Sequence, residues 1–272
     1  MKFAMSGFAA LLRRDRLILG AGLLAVALLA WAYLLYEAHR MSVSGVCECM
    51  RMKMSGPDHS AWPVATLLPL FLMWCVMMVA MMLPSALPMV LTFAAVTRNR
   101  QRLGRPYVPT TIFVSGYIAI WCAFSAVAAV GQWLLHRHAL LSASMATTSA
   151  IFGGVLLVGA GVFQFTPFKR SCLTRCRGTL EFIITRWREG RSGAFRMGLE
   201  HGAFCTGCCW ALMALLFVAG VMNMLWVAAL TLLVCLEKIL PARARVSLAT
   251  GVVLAGWGLF ILGSRCFALA AS

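Results

Sequence analysis

The stretch His201-Gly202-Ala203-Phe204-Cys205-Thr206-Gly207-Cys208-Cys209-Trp210 concentrates an imidazole and three thiols at the mouth of an apolar helix. At 100° per residue, His201, Cys205 and Cys208 fall within about 60° of one another on one helical face, with Cys209 just beside them. Bulk packing does not need that arrangement; metal binding or thiol redox chemistry does. Cys172 and Cys176 precede this helix by a short loop and can fold back over its mouth. Counting back from a turn near Met222 and Asn223, Glu237 on the returning helix comes level with Cys208. A carboxylate at that depth is costly unless partnered, either by Lys238 or by a bound cation. The inner site expected from the sequence is therefore Cys172, Cys176, His201, Cys205, Cys208, Cys209 and Glu237. Soft thiolates select copper(I) or zinc. The C-x3-C and C-x2-C pairs match the thiolate count of a zinc site without its usual loop setting. Two other uses stay open: small buried hydrophobes, and electron exchange between Cys205 and Cys208 and the pair Cys172 and Cys176.

Two further groups of soft ligands accompany this one. Residues 37–63 carry Cys47, Cys49, Met50, Met52 and Met54, followed by His59, a set suited to copper capture because thioethers are good ligands for copper(I). Cys47 and Cys49 would pair poorly with each other, since one intervening residue strains a disulfide. Upstream of Pro84, Met78 and Met82 form one helical stripe with Met89, and Met73, Met77 and Met81 form its neighbour. Such a stripe is ordinarily plastic packing. Between an outer Met-Cys loop and an inner thiol group it becomes a candidate relay, and Pro84 frees backbone carbonyls beside it.

The elements that must position these residues are membrane spans. The chain of 272 residues is 62% hydrophobic and 12% charged, with a mean hydropathy of +0.87, whereas soluble domains are about half apolar and about a quarter charged. Seven apolar runs long enough for hydrocarbon cover residues 17–36, 65–96, 111–135, 150–165, 199–221, 224–240 and 246–268. These predict an all-α polytopic bundle, one integral membrane domain over 1–272, because backbone groups in lipid must be satisfied within each segment. The first run is expected to be retained, as Tyr36-Glu37 follows it rather than a small-residue cleavage site. With the N-terminus cytoplasmic and the C-terminus periplasmic, 19 of the 24 Lys and Arg fall inside, leaving Arg40, Arg51, Lys53, Arg137 and Arg265 outside. The net charge of +16 thus reads as topology and contact with anionic lipid rather than nucleic-acid binding.

Residues 166–198 form a basic, Cys-containing cytoplasmic segment, with a short helix over 179–189 whose Phe182, Ile183 and Trp187 suit a membrane surface. Asn223 is expected to cap the turn between the fifth and sixth runs. Gly153, Gly154, Gly159 and Gly161, with Gly251, Gly256 and Gly258, read as close helix contacts. No repeat, Walker motif or Ser-His-acid set is present, which argues against a repeat-built transporter, an ATP-driven pump and a hydrolase.

Several motifs together resemble a known family. They are Met73-Trp74 with Ala80-Met81-Met82-Leu83-Pro84-Ser85, Gln164-Phe165-Thr166-Pro167-Phe168-Lys169 with Cys172-Leu173 and Cys176-Arg177, His201-Gly202 through Cys205, and Gly207-Cys208-Cys209-Trp210-Ala211-Leu212-Met213. Gly220-Val221-Met222-Asn223, Trp226 and Glu237-Lys238 complete the set. This pattern is similar to the uncharacterised bacterial predicted metal-binding integral membrane proteins, a domain of unknown function. The resemblance implies a metal role, with copper handling in a Gram-negative inner membrane. The combined expectation is copper(I) uptake, transfer or homeostasis, in contact with the lipid bilayer and with a metallochaperone or metalloenzyme, in a chain that can also self-associate. A subunit holding structural zinc and docking a partner, and a membrane thiol-disulfide oxidoreductase, are the alternatives.

Overall fold

The computed structural model describes residues 17–40, 64–137, 149–240 and 243–270, with side chains in the last segment over 245–264. Helices account for almost all of it, and no strand occurs among the described residues. In chain order they are α1 (Leu17–Arg40), α2 (Leu67–Arg102) behind a single 3-10 turn, α3 (Thr110–Arg137), α4 (Ala150–Phe163), α5 (Pro167–Arg177), α6 (Thr179–Arg186), α7 (Gly190–Ala214), α8 (Leu216–Ala219), α9 (Met224–Ile239) and α10 (Arg243–Ala270).

Among the described residues, five stretches are long and apolar enough to cross a membrane: α1, α2 with its leading turn, α3, α7 with α8, and α10. A sixth arises if α4 and α5, bent by 65° at residues 164–166, count as one. The all-helical bundle expected from composition stands, and among the described residues five or six helices are long and apolar enough to cross, against the seven runs expected. The difference lies at α9, whose 16 residues reach only about 24 Å. The apolar run beginning at Met224 is real; the helix it forms is shorter than a full crossing.

The core is built on α2, α3 and α7. At 36 residues α2 is the longest helix, with Pro84 and Pro88 inside it. Pro84 has no N–H to give to the Ala80 carbonyl one turn back, and Trp31 of α1 supplies the missing donor, its indole N–H reaching Ala80 O at 3.2 Å. Trp74 likewise buries its indole by donating to Gln132 Oε1 on α3 at 2.6 Å. Asn223 caps α9 as expected, its side-chain oxygen accepting from Trp226 N at 3.2 Å.

Glycine sets the closest helix approaches. A Cβ on Gly198 would overlap the Phe113 carbonyl oxygen, and one on Gly116 the Phe195 carbonyl oxygen, so α3 and α7 meet backbone to backbone. The pair α4 and α10 meet through Gly154 and Gly161 against Gly258 and Gly251, as expected, whereas a Cβ at Gly159 or Gly256 would meet nothing within 4 Å. The short helix α6 turns Phe182 and Ile183 into the core beside Phe93, Phe113 and Met197 rather than towards a membrane surface, leaving Leu180 and Ile184 exposed.

Candidate metal centre

Hydropathy places the mouth of the thiol-bearing helix near residue 199, but α7 already begins at Gly190. Its first two turns are too polar and glycine-rich to register as apolar, yet they are helical because Gly198 docks onto α3. Cys205 therefore sits mid-helix, fully buried, with Cys208 and Cys209 also buried.

Cys205 is the hub. Its sulfur accepts from Lys238 Nζ at 2.9 Å and lies 3.2 Å from the Tyr117 hydroxyl. The same ammonium donates to Ser85 Oγ at 2.9 Å, and Ser85 donates onward to Met82 O at 2.8 Å. Tyr117 also reaches Met82 O, at 3.3 Å. Four helices converge there: α7 brings the thiol, α9 the ammonium, α3 the phenol and α2 the serine. Cys176 of α5 and Cys209 of α7 are buried in the same core. A buried ammonium against sulfur is a charge-assisted contact; it supplies the counter-charge for Cys205 as a thiolate.

These contacts do not amount to a formed chelate. Among the described residues no three His, Cys, Asp or Glu side chains stand as they would around a metal ion. The physical reason is visible in two rotamers: Cys208 and Cys209 turn back to donate to the Cys205 carbonyl oxygen, at 3.0 and 3.1 Å. Cys172 is buried but lies over Gly207, where a Cβ would come 3.0 Å from its sulfur. That places it round the helix from Cys205. His201, one turn before Cys205, is buried with its ring among Phe113, Tyr117 and Phe182. Its Nδ1 has no hydrogen-bond partner.

Glu237 sits near the level expected but on the wrong side. Consecutive helical residues point about 100° apart, so Lys238 faces the thiols and Glu237 faces α5 and α10. There its carboxylate accepts from Lys169 Nζ at 2.8 and 2.7 Å and from Ser247 Oγ at 3.1 Å, while Lys169 also donates to Gln164. Glu237 is thus the buried partner of Lys169, on the side of α9 away from the thiols. Glu237→Gln should cost roughly 3–5 kcal/mol by stranding the ammonium, and Lys169→Met with Glu237→Leu should recover most of it. A double-mutant cycle on thermal unfolding in detergent measures this; additive losses would show that the pair is not coupled.

Met73, Met77, Met78, Met81 and Met82 are all buried in the main core with Trp74 and Trp121. Cys47, Cys49, Met50, Met52, Met54 and His59 lie outside the described residues. Sequence reasoning treated Lys238 only as a partner for Glu237 and passed over Ser85 and Tyr117 as parts of the site. Their signal is structural, since each stands on a different helix from the thiols.

An all-helical protein with several membrane-length helices and a buried thiol–ammonium centre is thus defined. The chain belongs to the PpoB2 family of copper chaperones, whose pattern it matches over residues 71–261. That match spans every residue of the centre and agrees with the metal-related family implied by the motifs. No curated protein matches the chain, and no solved structure does.

Proposed function

We propose that the protein is a membrane-embedded copper(I) chaperone that carries the ion at Cys205 with Cys176, Cys208 and Cys209 as exchangeable partners. The observation that carries this reading is the 2.9 Å contact between Lys238 Nζ and Cys205 Sγ, in a buried setting with the other thiols alongside. Copper(I) on two thiolates leaves one negative charge, which a single ammonium cancels. Zinc on four thiolates leaves two, and one would remain uncompensated in an apolar interior. Lys169 cannot supply the second positive charge, because Glu237 already neutralises it.

Loading then requires Cys208 or Cys209 to turn from the Cys205 carbonyl towards the ion, with its thiol proton leaving as the metal arrives. The unused Nδ1 of His201 offers a further donor one turn away. In this reading the methionines of α2 lead copper from the Met-Cys segment at 47–59 to Cys205, in a bacterial inner membrane, and a metalloenzyme or a soluble metallochaperone receives it. Cys172 stands outside the carrier set, over Gly207.

An anaerobic titration of the reduced, detergent-solubilised chain tests metal choice. Copper(I) should bind at about one ion per chain against a copper(I) chelator, with a thiolate-to-copper ultraviolet band, while zinc is stripped by a hard chelator. Zinc held in preference to copper(I) would contradict the proposal.

A further inference from the structure

Cys75 of α2 and Cys122 of α3 form a second sulfur pair, their Sγ atoms 3.7 Å apart. Both are free thiols and half-buried. Neither takes part in the centre around Cys205. Cys75, Met78, Met82 and Ser85 follow one another at spacings of three, four and three along α2, which puts them on one helical face. The lower end of that face is already tied to the centre: Ser85 Oγ receives Lys238, and Met82 O receives Tyr117, whose hydroxyl touches Cys205. From Cys75 to Ser85 is about 15 Å of helix.

We infer that Cys75 and Cys122 form a second copper(I) site, a transfer station from which Met78 and Met82 lead to Cys205. This rests on the copper reading above. Two sulfurs on adjacent helices at this separation suit a two-coordinate soft ion. Among the described residues no ammonium or guanidinium contacts either sulfur, so the ion binds with one thiolate and one thiol: copper(I) enters, one proton leaves, and the site stays neutral. A neutral pair with one weak donor holds copper less firmly than Cys205 beside Lys238, which sets the direction of transfer towards the centre. Copper keeps its oxidation state throughout.

The test uses the full-length chain in detergent under anaerobic, reducing conditions, with copper(I) itself as the probe. A Cys176→Ser/Cys205→Ser/Cys208→Ser/Cys209→Ser variant should still retain a weaker-bound copper(I), and adding Cys75→Ala/Cys122→Ala should remove it. In a chain with the centre intact, Cys75→Ala/Cys122→Ala should leave the one firmly held copper in place. It should slow loading about tenfold or more in stopped-flow measurement of the thiolate-to-copper band. This second arm decides the matter if the four-serine variant does not fold. Unchanged loading kinetics, with the centre filling normally, would overturn the inference while leaving the copper reading in place. So would a Cys75–Cys122 disulfide that survives the reductant. A wild-type chain that binds no copper(I) would overturn both.

Discussion

Lys238→Met should lower copper(I) affinity by about two to three orders of magnitude while the protein stays folded. Removing one partner of a buried charge pair costs roughly 3–5 kcal/mol, and each 1.4 kcal/mol is about tenfold in a binding constant. In the unloaded protein that cost is avoided, because Cys205 can carry its proton as a neutral thiol and Ser85 keeps its bond to Met82 O. In the loaded protein nothing replaces the ammonium, so the penalty falls on binding. Lys238→Arg should not restore it in full: a planar guanidinium cannot point a single compact charge at Cys205 Sγ and Ser85 Oγ together. Chelator competition on the two variants measures this, with circular dichroism as the control for folding. Equal affinity in wild type and Lys238→Met would show that the lysine packs against the sulfur without serving the metal.

Gly198→Leu should be the most damaging single substitution in the helical frame. Its side chain would have to occupy the space of the Phe113 carbonyl, and backbone cannot yield as a side-chain tip can. Overpacking that shifts backbone costs roughly 3 kcal/mol or more, and here it parts the two helices that bring Tyr117 to Cys205. Loss of thermal stability and loss of copper should therefore go together. Gly159→Ala and Gly256→Ala, where an added Cβ meets open space, should change neither appreciably. A Gly198→Leu chain with wild-type melting behaviour would mean that α3 and α7 do not make their close approach.

What the sequence alone reveals about this site follows from what helical geometry transmits. Spacing along one helix is legible, so His201, Cys205, Cys208 and Cys209 could be placed on one face, and Glu237 and Lys238 near their level. Which side of the returning helix meets the thiols is not legible, because it depends on where α5 and α10 pack, and that assigned Glu237 to the wrong neighbour. Hydropathy marks where lipid-soluble residues begin rather than where hydrogen bonding begins. For that reason the apolar pattern begins nine residues after the start of α7, and the long apolar run at α9 forms a helix of only 16 residues. The apolar face of α6 was visible too, but nothing in its own eight residues distinguishes a membrane surface from the flank of α2. The Cys75–Cys122 pair is hidden for a related reason: 47 positions separate the two thiols, and only the packing of α2 on α3 joins them.

The central claim is that copper is held at the thiols around Cys205, and purification under anaerobic, reducing conditions followed by elemental analysis tests it most directly. The comparison is between wild type and a Cys205→Ser/Cys208→Ser/Cys209→Ser chain, both confirmed folded in detergent. About one copper per wild-type chain that survives a wash with a copper(I) chelator, with none left on the washed variant, is the expected result. Equal copper in the two chains, or zinc in place of copper in the wild type, would contradict it.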